Sequence, residues 1–226
     1  MMDALIFDFD GVLVDSEPVH LWAFAEVLAT VGVTLGREEY FEHYLGFDDY
    51  TCLREAIRRH GAACGPGKLD ELVAAKTRVL QAHLAESIPP IAGAVKLVRA
   101  AAGAGVPLAI ASGGLRREIE IGVETIGLAG CFSVIVAAED VRQTKPHPEA
   151  YRQAAELLGR RLEREIAPRR CVAVEDSPTG IASAKAAGMN VLAVHTSYPP
   201  DELHQADRVE ADLSTVTLEL LNTLVS

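Results

Sequence analysis

A chain of 226 residues, 49% hydrophobic and 23% charged, has room for one sizeable core and a smaller second unit, with the composition of a globular rather than a disordered or fibrous protein. Its 32 acidic residues outnumber 21 basic ones for a formal charge of −11, and no basic stripe offsets this, which argues against nucleic acid as a partner. No apolar run approaches the roughly 20 residues of a membrane helix. No basic-then-apolar leader precedes Asp3, so a cytoplasmic protein with no membrane partner is expected. Cys52, Cys64, Cys131 and Cys171 are scattered without metal-ligand spacing and read as reduced thiols.

The first predicted element is a short apolar strand, Ala4-Leu5-Ile6-Phe7, running into Asp8-Phe9-Asp10-Gly11. Side chains alternate along a strand, so Asp8 and Asp10 are expected on one face and Phe7 and Phe9 on the other. Gly11 permits a sharp turn after them. Two carboxylates side by side in apolar surroundings are unfavourable unless their charge is used, by a divalent metal, a phosphoryl group or both. A calcium loop opens similarly, but it needs glycine at its sixth position and glutamate at its twelfth; here those positions hold Leu13 and Val19.

Amphipathic patterns next predict helices over 17–31 (with Leu21, Phe24, Leu28 and Val31 on one face), 37–44, 49–60 and 69–85. Gly46, the 61–67 stretch and Pro89-Pro90 punctuate them. Residues 16–87 therefore read as an all-helical insertion. Beyond it, helices over 94–104, 115–126, 148–158 and 178–187 alternate with apolar strands over 107–111, 133–136, 171–174 and 190–194, and a last helix is expected over 213–224. This alternation predicts an α/β unit whose parallel sheet is covered on both faces and includes the first strand.

In open parallel sheets, ligands bind beyond the carboxyl ends of the strands. The first strand is followed by Asp8 and Asp10, the second by Ser112-Gly113-Gly114, the third, across a short loop, by Thr144-Lys145-Pro146, and the fourth by Glu175-Asp176-Ser177-Pro178. Taken singly, each has a plain reading. Ser112-Gly113-Gly114 suits a phosphate cradle and equally a helix start. Lys145 alone reads as a solvated loop lysine. Glu175-Asp176 suits the positive end of a helix begun by Ser177 and Pro178. Together they supply a candidate nucleophile, an acid/base, a hydroxyl with backbone donors, a cation and a second acidic pair.

With Asp8-Phe9-Asp10-Gly11-Val12, Ser112, Lys145-Pro146 and Glu175-Asp176 in this order, the chain resembles the haloacid dehalogenase superfamily, in its helical-capped phosphatase and beta-phosphoglucomutase branch. Val14-Asp15-Ser16-Glu17 and Asp176-Ser177-Pro178-Thr179-Gly180-Ile181 match the same branch, and the resemblance covers nearly the whole chain. It implies a Rossmann-like parallel core of residues 1–15 and 88–226, carrying an inserted cap of residues 16–87 that opens for substrate and closes to exclude water. It implies that Asp8 is the nucleophile, forming an aspartyl-phosphate, and that Asp10 is the general acid and then the base. Ser112, the Gly113 N–H and Lys145 would hold the phosphoryl oxygens. Mg²⁺ would be held by the Asp8 carboxylate, the Asp10 backbone carbonyl and Asp176, with Glu175 as a further ligand or the partner behind them. Asp10 sets the chain apart from the dehalogenases, which need no acid to protonate a halide.

In the cap, His20 at the start of the first helix reads either as facing the cleft or as a surface or hydrogen-bonded structural histidine, while the resemblance points to Gly46 and Phe47 in the substrate-reading loop of residues 44–49 and to Lys76, with Arg54 as the other cation that could act there. One departure bears on activity. Leu45 precedes Gly46 and acids follow it, where phosphoglucomutases carry basic residues that grip a second phosphate. The expectation is a Mg²⁺-dependent phosphatase of a small phosphorylated metabolite, a sugar phosphate foremost, acting as a monomer or weak oligomer. The alternatives are a beta-phosphoglucomutase and, from another class, a phospho-aspartate signalling module, against which Asp10 and the large cap argue.

Overall fold

Ala4–Phe7, all buried, form strand β1. It is joined in parallel by β2 (Leu108–Ala111), β3 (Val134–Val136), β4 (Cys171–Glu175), β5 (Asn190–Val194) and β6 (Arg208–Glu210), in the sheet order β3-β2-β1-β4-β5-β6. The register sets Ile6 between Ala109 and Ala173. The order changes direction at β1, so a crevice is expected beyond its carboxyl end, between the ends of β2 and β4. The computed structural model describes residues 1–225. The chain divides into two compact units, Met1–Asp15 with Ile88–Ser226 (Ser226 itself lies outside the described residues) and Ser16–Ser87.

The second unit is helical: α1 (Glu17–Ala29), α2 (Arg37–His43), α3 (Asp49–Arg59) and α4 (Lys68–Glu86). Its core gathers Phe24 and Leu28 of α1, Tyr40 of α2, Leu53 and Ile57 of α3 and Leu72 of α4. Asp48 caps α3 by accepting the Thr51 N–H at 3.0 Å, a contribution of about 1 kcal/mol.

In the sheet unit, α5 (Ala94–Gly103), α6 (Arg116–Thr125), α7 (Glu149–Leu162), α8 (Pro178–Ala186) and α9 (Leu218–Thr223) connect or follow the strands. One sheet face buries Ala4, Ile6, Ala109 and Ala173 against Tyr151 and Leu158 of α7 and Ile181 of α8. Burial on both faces explains why the central strands are continuous apolar runs rather than alternating ones. No helix among the described residues is long and apolar enough to cross a membrane.

Four details differ from the sequence expectations. β1 ends at Phe7, so Asp8 and Asp10 stand in the turn beyond the strand rather than on its pleat; Gly11, at φ +70°, closes that turn with its N–H on Val14 O at 2.8 Å. Helix α7 runs on to Leu162 through Gly159, where a Cβ would lie 2.9 Å from the Arg164 carbonyl. That glycine serves a close chain passage, not a stop. β6 was not expected: Arg-Val-Glu has no apolar run, and it joins the sheet edge through its backbone. The last helix covers only Leu218–Thr223, because the Leu213 N–H bonds back to Ala92 O at 3.0 Å and the Asp212 carboxylate accepts the Ser214 N–H.

Candidate active site

Four strand ends converge around Asp8. Its Oδ1 accepts the Phe9 N–H at 2.7 Å and its Oδ2 lies 3.1 Å from Lys145 Nζ. Lys145 Nζ also donates to Glu175 Oε1 at 2.6 Å, and the buried Tyr151 hydroxyl donates to the same oxygen at 2.7 Å. Glu175 Oε2 accepts the Asp176 N–H at 3.1 Å, the Ser177 N–H at 3.4 Å and the Ser177 hydroxyl at 3.2 Å. A Cβ on Gly180 would sit 2.0 Å from this carboxyl group, so only glycine lets α8 start this close to it. Asp8, Glu175 and Asp176 bring one carboxylate oxygen each to within 4.8 Å of one another.

Asp10 lies outside that carboxylate cluster but close to Ser112. A Cβ on Gly114 would be 3.4 Å from both Asp10 Oδ2 and Ser112 Oγ. The Ser112 hydroxyl is buried and accepts the Gly114 N–H at 3.0 Å. Gly113 borders open space, with nothing within 4 Å of where a Cβ would stand.

The electrostatics follow from burial. Desolvation pushes Asp8 up to about 7, against the pull of Lys145 and with the push of Glu175 and Asp10. Asp176 is raised well above the carboxylate range by burial, then by Glu175 and Asp8. Burial opposes the charge of Lys145, yet Asp8 and Glu175 together hold its pKa above the usual lysine range. Three carboxylates thus face one ammonium, a formal surplus of two negative charges. Hard carboxylate oxygens with surplus negative charge are the donor set that suits Mg²⁺.

In the helical unit, His20 and Lys76 meet. Lys76 is 1% exposed; its Nζ donates to Asp49 Oδ1 at 2.6 Å and to His20 Nδ1 at 3.0 Å, and lies 4.7 Å from the centre of the Phe24 ring. Burial first, and Lys76 second, lower the His20 pKa to about 3, so the ring is neutral and accepts the lysine proton. Gly46, at φ +80°, and Phe47, 46% exposed, occupy the turn that leads to Asp49.

Three residues that touch these groups carried no assigned role in the sequence: Tyr151, inside a stretch expected to be helical; Asp49, at the end of the substrate-reading loop and the start of an expected helix; and Ser197. For Ser197 a usable signal existed. It follows β5, and its hydroxyl donates to Asp176 Oδ2, so the rule that picks out residues after strands applied to it as well.

Residues 5–194 match the family described as haloacid dehalogenase-like hydrolase. Protein CbbY of Rhodobacter capsulatus is 32% identical, with 99% of each chain covered. Hexitol phosphatase A of Escherichia coli is 34% identical over 94% of this chain and 92% of its own. Among solved structures, a variant of CbbY from Rhodobacter sphaeroides in complex with xylulose-1,5-bisphosphate superposes with a TM-score of 0.86 at 30% identity, covering 98% of this chain and 100% of that one.

Proposed function

The chain belongs to the haloacid dehalogenase-like hydrolases, as a phosphatase of the beta-phosphoglucomutase-like branch, and from that premise we propose that it is Mg²⁺-dependent and hydrolyses a small sugar or polyol phosphate through an aspartyl-phosphate on Asp8. The observation that carries this reading is the buried Asp8–Glu175–Asp176 cluster gripped by Lys145, with Asp10 and Ser112 beside it. The relatives support the substrate class, since one is a hexitol phosphatase and another binds a ketose bisphosphate.

In this reading an Asp8 oxygen attacks phosphorus, and the bond from phosphorus to the substrate oxygen breaks. Asp10 gives its proton to the departing alkoxide. Asp10 then takes a proton from water, whose oxygen attacks phosphorus, and Asp8 leaves with inorganic phosphate as product. Lys145, Ser112 and the Gly113 N–H hold the phosphoryl oxygens through both displacements, where charge stabilisation and positioning dominate. Asp8, Asp176 and the Asp10 carbonyl would hold Mg²⁺, with Glu175, whose oxygens already take donors from Lys145, Tyr151 and Ser177, supporting them from behind. Bound there, Mg²⁺ supplies the positive charge that keeps Asp8 ionised and offsets the phosphate charge.

The helical unit serves as the substrate-selecting cap, with Gly46 and the exposed Phe47 as its candidate determinants, while His20 and Lys76 are engaged with each other and with Asp49. A mutase must hold two phosphates of its intermediate. The pairing of Lys76 with Asp49 takes up the one buried cation this unit has among its described residues, which favours hydrolysis. The test is phosphate release from a panel of hexose, ketose and hexitol phosphates, with and without Mg²⁺, for wild type and Asp8→Asn. Metal-dependent release that falls at least about 10⁴-fold in the variant is expected. Release that persists in Asp8→Asn, or no release from any panel member, overturns the reading.

A further inference from the structure

β5 pairs with β4 so that Ala193 lies beside Glu175, and the residues after β5 therefore run alongside the acidic pair at the end of β4. His195 is fixed by its N–H on Glu210 O at 3.1 Å, and Tyr198 packs against the sheet core. Between these anchors, the Thr196 hydroxyl donates to the Gly11 carbonyl at 2.5 Å and the Ser197 hydroxyl donates to Asp176 Oδ2. Gly11 completes a tight group: a Cβ on it would meet Asp176 Oδ2 at 2.0 Å and Ser197 Oγ at 2.7 Å. Three chain segments distant in sequence thus close on one carboxylate.

We propose that Ser197 is a positioning residue: its hydroxyl fixes the rotation of the Asp176 carboxylate and so presets the third carboxylate of the cation site. The inference rests on the metal reading above and goes beyond it, because that reading concerns only residues at the ends of β1, β2, β4 and the Lys145 loop. The physical need is plain. Asp176 shares a buried space with Glu175 and Asp8, and a carboxyl group with no donor on it is free to rotate its oxygens out of the arrangement a cation needs. A donor on one oxygen holds it in place before any cation arrives. Groups that orient metal-binding side chains typically govern affinity by about 10–100-fold. Thr196 acts in the same loop by holding the Gly11 turn against which Asp176 packs.

The experiment is calorimetric titration of the substrate-free protein with MgCl₂, for wild type, Ser197→Ala and Ser197→Thr, with thermal unfolding in EDTA alongside. Ser197→Ala is expected to bind Mg²⁺ about 10-fold more weakly, with its unfolding temperature in EDTA unchanged, and Ser197→Thr, which keeps the hydroxyl, to recover the affinity. Wild-type affinity in Ser197→Ala overturns the inference and leaves the metal reading standing, as does a weakened affinity accompanied by a fall in metal-free unfolding temperature that Thr does not repair. Failure of the wild type to bind Mg²⁺ overturns the metal reading and the inference with it.

Discussion

Each unit of the chain holds a lysine whose ammonium group is largely withdrawn from solvent, fully for Lys76 and mostly for Lys145, and the two have opposite surroundings. Both ammonium groups sit 2.6 Å from a carboxylate and near an aromatic ring, Lys76 over Phe24 and Lys145 over Tyr151. Lys76 has one carboxylate partner, Asp49, and a neutral histidine. Its charge is matched, and the group is closed. Lys145 faces Asp8 and Glu175 directly, with Asp176 in the same cluster. There the charge is unmatched, and in the reading proposed above that imbalance is what draws a cation and a phosphate's electrophilic centre. A balanced buried pair serves structure. An unbalanced one is maintained against stability and marks the place where chemistry is done.

The strongest way to break the comparison is to remove each lysine. Lys145→Met is expected to lower phosphate release about 10²–10³-fold at saturating Mg²⁺, the usual loss for one charge-stabilising donor in a reaction of this type. Lys76→Met should leave the turnover number within about 10-fold of wild type and act mainly on stability, as loss of one partner of a buried pair does. Steady-state kinetics on both variants decides this. Equal losses of turnover would mean that Lys76 also reaches the reacting phosphate.

Removing carboxylates sharpens the contrast, because the two units should respond with opposite sign. Asp49→Asn leaves Lys76 without its counter-charge and is expected to destabilise the protein by about 2 kcal/mol, less than for a sealed pair because Asp49 keeps 25% of its side-chain surface exposed. Asp176→Asn relieves a crowded acidic cluster and is expected to stabilise the metal-free protein by about 1 kcal/mol while weakening Mg²⁺ binding. Urea unfolding in EDTA measures both. Destabilisation by Asp176→Asn would show that the surplus charge carries no strain.

This contrast also explains what could be read from the sequence. The parallel α/β core was legible because burial on both faces writes each central strand as an uninterrupted apolar run, as in Leu108–Ala111 and residues 171–174. The six-stranded sheet extended the expectation by one strand, since the edge strand Arg208–Glu210 has no such signature. Asp8, Ser112, Lys145 and Glu175 stood out because strand ends are short, polar and placed just after apolar runs. Partners joined only by tertiary contact did not. Tyr151 reaches Glu175 across 24 residues, Ser197 reaches Asp176 across 21, and Lys76 reaches His20 across 56. No local periodicity encodes such a pairing; only the topology that returns β5 beside β4, or α4 beside α1, creates it.

The smallest effect tests how closed the Lys76 group is. His20 faces Lys76 from α4 and Phe24 from its own helix, and Lys76 in turn holds Asp49 of α3. Its pKa falls from 6.5 to about 3 on folding. The unfolded chain therefore binds the proton more readily than the folded one, so this group's stabilisation is complete above pH 6.5 and declines as pH falls from there towards 3. The unfolded histidine is half protonated at pH 6.5, so the loss reaches about 1.4 kcal/mol per pH unit only well below that; between pH 6.5 and 5.5 a sealed histidine loses about 1 kcal/mol, and the partly buried His20 is expected to lose less. Urea midpoints at the two pH values should show this loss in wild type and a shallower one in His20→Gln, which cannot take up the proton. An identical pH dependence in the two proteins would mean that His20 exchanges its proton freely with water in the folded state, and that the lysine's hydrogen bond to Nδ1 does not hold the ring neutral.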